Sequence, residues 1–233
     1  MNVPRYFALI PAAGVGARMQ LGSPKQYAML AGKPMLQHVM ETFARASHIT
    51  HTYVVVSAAD VYVDDLPFIA GTTVLRCGGA TRRESVMNGL AAIAAEVSAE
   101  DWMLVHDAAR PGLTVPLIEQ LIAALKDDAV GGLLALPVVD TLKRANGQGR
   151  VDATVSRDAL WAAQTPQMFR HATLLQALQQ ADAVTDEASA MEALGLQPKL
   201  VEGHARNFKV TLPQDLLLAE LYLKGRYEDN TPI

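Results

Sequence analysis

Short apolar runs alternate along the chain with longer stretches in which apolar residues recur every three or four positions. The first run, Phe7-Ala8-Leu9-Ile10, has the length and composition of a buried strand. Pro34 then opens a segment with Leu36, Val39, Met40 and Phe43 at helical spacing, and Tyr53 to Ser57 reads as a second buried strand. Thr73 to Arg76 predicts a short third strand, Val86, Leu90, Ile93 and Val97 a further helix, and Trp102 to His106 another strand. Thr114 can cap a helix that has Pro116 in its first turn and Leu117, Leu121 and Leu125 as its apolar stripe; Gly132 to Leu136 follows as a strand. This alternation predicts an α/β fold: a doubly wound, mostly parallel sheet with helices on both faces and a ligand site at the carboxyl ends of the strands.

Residues from about Val138 to about Leu160 break the rhythm. They are polar, carry Asn146-Gly147 as a turn signal and alternate Val151, Ala153 and Val155, which suits a hairpin arm projecting from the body. Beyond it, His171 to Ala181 and Glu187 to Leu194 read as short helices, the second capped by Thr185 or Asp186 and stopped by Gly195. Lys199 to Glu202 and Asn207 to Val210 read as short strands. Thr211 and Gln214 are spaced as a capping box for a last helix along Leu216, Leu217, Glu220 and Leu221. With no linker or internal repeat in view, residues 1–233 are expected to form one domain, with the arm at about 138–160.

Composition narrows the classes. Half of the 233 residues are hydrophobic, enough for a sizeable core. The longest apolar runs are far too short to span a bilayer, and no secretory leader opens the chain, so a cytoplasmic protein without a membrane partner is expected. Cys77 is the single cysteine and excludes an intrachain disulfide. A formal charge of −4 argues against general nucleic-acid binding, so an anion site must be a local cluster of cations.

The first strand empties into such a cluster. Pro11-Ala12-Ala13-Gly14-Val15-Gly16 is a turn almost without side chains, and Arg18 and Lys25 follow within one loop. Bare N–H groups and fixed positive charge at a strand end are the chemistry of a polyphosphate site. A dinucleotide fingerprint fails at its third glycine, where Met19 stands, and a Walker loop fails because Gly32-Lys33 runs into Pro34.

The pattern PAAG-x-G-x-R-M followed by Pro24-Lys25-Gln26 resembles the signature loop of nucleotidyltransferases. Together with His106-Asp107-Ala108-Ala109-Arg110-Pro111, Asp140-Thr141-Leu142-Lys143, Gln164-Thr165-Pro166-Gln167, Thr185-Asp186-Glu187-Ala188-Ser189 and Phe208-Lys209-Val210-Thr211, it resembles one family from about Ala8 to about Tyr222. That family is 2-C-methyl-D-erythritol 4-phosphate cytidylyltransferase, of the non-mevalonate isoprenoid pathway.

The resemblance implies transfer of CMP from CTP to 2-C-methyl-D-erythritol 4-phosphate with Mg²⁺. It also implies a homodimer in which the arm carries substrate-binding residues into the neighbouring subunit. Arg18, Lys25 and Lys209 resemble the cations that hold the triphosphate and stabilise the transition state. Pro11, Ala12, Ala13, Gly14 and Gly16 would line the nucleotide with backbone, and Gly79 and Ser85 resemble the cytosine-reading loop, in which Arg82 could reach a phosphate. Asp107 would be the carboxylate nearest the reacting phosphates, touching Mg²⁺ through water or orienting sugar hydroxyls. Arg110, Thr141, Arg157 and Thr165 resemble residues that grip the acceptor, Thr141 and Arg157 arriving on the partner's arm. The nucleophile, a phosphate oxygen, is already ionised, so no general base is required and His106 reads as a strand-end residue. Two rivals stay open: a cytidylyltransferase for ribitol 5-phosphate or another polyol phosphate, and a nucleotide sensor without turnover.

Overall fold

The computed structural model describes residues 3–14, 23–181 and 184–228. Among them, seven strands form one twisted sheet. In chain order these are β1 (Tyr6–Pro11), β4 (Ile49–Val55), β5 (Thr72–Leu75), β6 (Trp102–Val105), β7 (Gly131–Pro137), β10 (Trp161–Arg170) and β11 (Lys199–Glu202). Two short strands, β2 (Met29–Leu30) and β3 (Lys33–Pro34), pair separately, as do β8 (Leu142–Ala145) and β9 (Val151–Val155). The spatial order of the large sheet is β11-β7-β10-β6-β1-β4-β5. Its pairs are parallel except at β10, which runs antiparallel to both neighbours.

Alternation along β1 explains the two-sided core. Ala8 and Ile10 face α1 (Met35–Arg45) and α3 (Val115–Leu125), packing with Leu36, Phe43, Ile118 and Leu121. Phe7 and Leu9 face the other way, toward α2 (Arg82–Ala92), α4 (His171–Gln180) and α5 (Glu187–Ala193). A central strand buried on both faces must read as a continuous apolar run, and Phe7 to Ile10 does. The last helix, α6 (Pro213–Glu228), packs its Ala219 and Leu223 on a third cluster with Leu30 and Met35. Among the described residues no helix is long and apolar enough to cross a membrane.

The predicted strands and helices of the first 137 residues are present, with α3 capped by Thr114 accepting from the Leu117 N–H. Three readings need correction. First, β10 lies where no strand is predicted, because Gln164-Thr165-Pro166-Gln167 is polar and Pro lacks a ladder donor. The register against β7 shifts between Ala163 and Gln167, and that irregularity accommodates Pro166. Second, Asn207 to Val210 is not a strand: Ala205–Asn207 is a 3-10 turn and the chain then runs irregularly, with Val210 N–H donating to the Ala109 carbonyl. Third, the start of α6 is held by the Asp215 carboxylate, which accepts from the N–H groups of Thr211 and Leu212, in place of a Thr211/Gln214 box. For α5 the open choice of cap falls to Asp186, which accepts from Ser189 N–H.

Candidate active site

A cavity of about 420 Å³ opens at the carboxyl ends of β1 and β6, lined on one side by Pro11, Ala12, Ala13, Gly14 and Lys25. Gly79, Ala80, Arg82, Ser85, Asp107 and Lys209 line much of the rest, together with Thr81 and Thr211. The first turn is pinned from two directions: Ala12 N–H donates to Val55 O at 2.7 Å, and the buried Gln26 amide donates to Ala12 O at 2.7 Å. Gly14 is open, since a Cβ there would meet nothing within 4 Å. Val15, Gly16 and Arg18 lie outside the described residues.

The opposite wall is the loop into α2. A Cβ on Gly78 would sit 2.3 Å from the Ala13 side chain and 2.8 Å from the Val56 carbonyl, so glycine is required for the two loops to meet. Replacing Gly78 with Ala forces them apart. Thermal or denaturant unfolding should then register a loss of about 1–3 kcal/mol, and no loss would show that the turns can separate freely. Ser85, itself buried, accepts from Gly79 N–H at 3.1 Å and donates to Thr81 O at 2.9 Å. Ala80 N–H donates to Glu84. Thr81 and Glu84 form a capping box, so this loop is shaped by the first turn of α2.

Asp107 is the electrostatic centre. Its Oδ1 accepts from Arg82 Nε at 2.7 Å, and its Oδ2 lies 2.8 Å from Lys209 Nζ and 3.7 Å from Arg110 Nε. Burial alone would raise its pKa, but Arg82 and then Lys209 more than offset this and hold the carboxyl well below the usual carboxylate range. Arg82 also donates to both oxygens of Glu187, at 2.6 and 2.9 Å, and Glu187 is fully buried. Lys25 Nζ donates to Val210 O at 3.2 Å, on the segment that carries Lys209. A cavity with this many fixed cations and a floor of small residues suits a polyanion.

Behind the cavity, His106 is sealed from solvent. Its Nε2 faces the Arg110 carbonyl at 3.1 Å, and a carbonyl only accepts, so Nε2 carries the proton and Nδ1 accepts from Thr165 Oγ1 at 2.9 Å. Thr165 Oγ1 in turn accepts from Asp107 N–H at 3.1 Å. Burial pushes His106 down to about 4, and both ring nitrogens are occupied, so it serves as a structural pivot for the Asp107 to Arg110 loop.

The remaining sequence candidates lie elsewhere. Arg110 packs beside Asp107 and donates to Asn207 O and Ala163 O. Thr165 is buried under the cavity with its hydroxyl engaged as above. Thr141 is exposed next to the β8/β9 hairpin, and Arg157, just beyond that hairpin, donates to the Val139 carbonyl; neither lines the cavity. The sequence places Glu187 only at a helix start and gives Asn207 no role of its own. Asn207 is fully buried against Gln164 and Thr165. The signal for Glu187 is a charged residue followed by a helical stretch of Ala and Met, which also fits a surface cap.

The sequence profile of 2-C-methyl-D-erythritol 4-phosphate cytidylyltransferase (IspD) matches residues 6–225. The enzyme of that name from Nitrosomonas eutropha is 54% identical over 228 residues, covering 95% of this chain and 98% of the relative. That from Nitrosospira multiformis is 53% identical over 227 residues, covering 94% and 98%. A crystal structure of 4-diphosphocytidyl-2C-methyl-D-erythritol synthase superposes with a TM-score of 0.86 at 43% identity, over 94% of this chain and 98% of that one. A match along almost the whole length, at this identity and with this fold, leaves one conclusion: the chain belongs to the 2-C-methyl-D-erythritol 4-phosphate cytidylyltransferase family.

Proposed function

We propose that this protein transfers CMP from CTP to 2-C-methyl-D-erythritol 4-phosphate, giving 4-diphosphocytidyl-2-C-methyl-D-erythritol and pyrophosphate. The observation that carries the reading is the convergence of Lys25 and Lys209 on a cavity floored by Ala12, Ala13 and Gly14. In-line attack forms a bond between the acceptor's phosphate oxygen and the α-phosphorus as the bond to pyrophosphate breaks. Both reactants are anionic, so catalysis consists of alignment and charge stabilisation. Lys25, Lys209 and Arg18 supply the charge. Pro11, Ala12, Ala13, Gly14, Gly16, Gly79 and Ser85 form the nucleotide site, and Asp107, Arg110 and Thr165 the acceptor site, completed by Thr141 and Arg157 carried in on the arm of a second copy of the chain.

The divalent ion fits this site in a limited way. Among the described residues no three His, Cys, Asp or Glu side chains are grouped to hold a metal, and Asp107 is the carboxylate lining the cavity. Mg²⁺, which takes oxygen ligands and commonly binds phosphates plus one or two carboxylates, would therefore be held chiefly by the triphosphate with Asp107 in support. Its contribution when bound is to neutralise phosphate charge.

The chain acts as one domain. Val139, Val151 and Trp161, on and beside the β8/β9 hairpin, are all exposed, which suits a dimerisation arm that covers a second copy. The protein works in the cytoplasm, with neither nucleic acid nor membrane as partner. Pyrophosphate release with CTP and Mg²⁺ tests the reading, comparing 2-C-methyl-D-erythritol 4-phosphate, ribitol 5-phosphate and no acceptor. Release with the methylerythritol substrate alone is expected; preference for ribitol phosphate would change the acceptor, and release with neither would overturn the reaction.

A further inference from the structure

We infer that Asn207 is a positioning residue that sets Lys209 against the acceptor side of the site, an inference that rests on the cytidylyltransferase reading above. Asn207 touches no open part of the cavity and is completely buried. Its side-chain amide donates to Thr165 O at 2.7 Å and to Gln164 Oε1 at 3.3 Å. Gln164 can accept there because its own Nε2 donates to His204 O at 3.1 Å. The two acceptors fix which end of the Asn207 amide is nitrogen, leaving Oδ1 buried without a hydrogen-bond partner among the described residues. The same residue's carbonyl accepts from Arg110 Nη1 at 2.8 Å, and its N–H donates to His204 O at 2.9 Å.

Asn207 thus bonds at once to two groups on the acceptor side, Arg110 and the Thr165 backbone. Two residues further on, Lys209 reaches Asp107, and Val210 is held on both sides, by Ala109 through its N–H and by Lys25 through its carbonyl. The turn before Asn207 has no room to slide, because a Cβ on Gly112 would lie 1.7 Å from the Arg206 carbonyl. The 203–210 segment contains the 3-10 turn Ala205–Asn207 and no strand, so a sheet ladder does not hold Lys209 in place. Apart from the Val210 N–H bond to Ala109, side-chain bonds do so, and Asn207 supplies two of the three that join the segment to β10, Gln164 supplying the other through His204 O.

Two measurements on the full-length protein test the inference, with unfolding midpoints recorded for each variant. In steady-state kinetics, Asn207→Ala should lower kcat about 10²-fold through displacement of Lys209, with KM for CTP little changed. In a Lys209→Ala background the same substitution should cost no more than about twofold further. An equal loss in both backgrounds would overturn the inference, because a merely structural residue acts independently of Lys209. The second measurement does not depend on turnover: the rate of reductive methylation of Lys209, read by mass spectrometry, with Lys33 in its own ion pair with Glu41 as internal reference. Lys209 should be labelled about threefold faster in the variant once its pairing with Asp107 loosens, and Lys33 at an unchanged rate. An unchanged Lys209 rate in folded variant would refute the inference. Should Asn207→Ala not fold, Gln164→Ala releases the same clamp from the other side, and the same two readouts decide with the same signs. Wild-type protein that releases no pyrophosphate would defeat the proposed reaction, and the labelling would still decide the role of Asn207.

Discussion

Lys25→Ala should lower turnover about 10²- to 10³-fold while moving the Michaelis constant for CTP far less. Bound CTP brings its full charge to a cavity that also offers Lys209, Arg82 and the backbone of Ala12 to Gly14, so the ground state can lose one cation and still bind. The transition state differs, because negative charge grows on the α-phosphoryl oxygens and on the departing pyrophosphate. A cation fixed where that charge develops stabilises it selectively, and only such selective stabilisation raises kcat. On the proposed reading Lys25 is such a cation, and its amine is bonded to the Val210 carbonyl on the segment that bears Lys209, so the two ammonium groups belong to one scaffold. Steady-state rates with CTP varied at saturating acceptor check the expectation. Equal losses in kcat and in CTP affinity would mean that Lys25 only binds the nucleotide.

The parts of this scaffold differ in how openly the sequence displays them. Strands β1, β4 and β6 are buried on both faces over most of their length, so their composition is largely apolar and they are legible at once, as is the bare turn that follows β1. Strand β10 is illegible for the opposite reason. Its middle residues, Gln164, Thr165 and Gln167, are buried yet polar because each makes a hydrogen bond inside the protein. Gln164 bonds to His204, Thr165 to His106 and Gln167 to Asp186. Polarity normally marks the surface, and only the folded chain reveals that these groups are satisfied inside. Glu187 is hidden in the same way, since its partner Arg82 lies 105 residues away in sequence. The pairing of α5 with the start of α2 is a product of topology, and local patterns do not encode it. Asn207 to Val210 fails in the reverse sense, its apolar Phe208 and Val210 suggesting a strand where the backbone is bent to serve Lys209 and Lys25.

The Glu187–Arg82–Asp107 chain is the origin of the other large effect. Arg82→Met should destabilise the protein by about 3–5 kcal/mol, because it leaves the fully buried Glu187 carboxylate without its cation. The loss comes from the stranded charge, so pairing Arg82→Met with Glu187→Leu should restore most of the stability in chemical denaturation. A double variant no more stable than the single one would show that the ion pair itself, and not its disruption, is what holds α2 to α5. The pH dependence has a definite sign. Asp107 is kept ionised far below the usual range, so its contribution is complete above the unfolded-chain value of about 3.9 and is lost as pH falls through the lower folded value. Without Arg82, the foremost of the groups that lower it, the folded value moves up toward the unfolded one. The contribution at neutral pH then shrinks: in both proteins the loss sets in near the unfolded-chain value, but in the variant it levels off at a higher pH and totals less than in wild type. Melting curves recorded from pH 7 down to the acid limit, each taken relative to its own neutral-pH value, would show the shallower acid limb of the variant, and limbs of equal depth would mean that Lys209 and Arg110 hold Asp107 ionised without help.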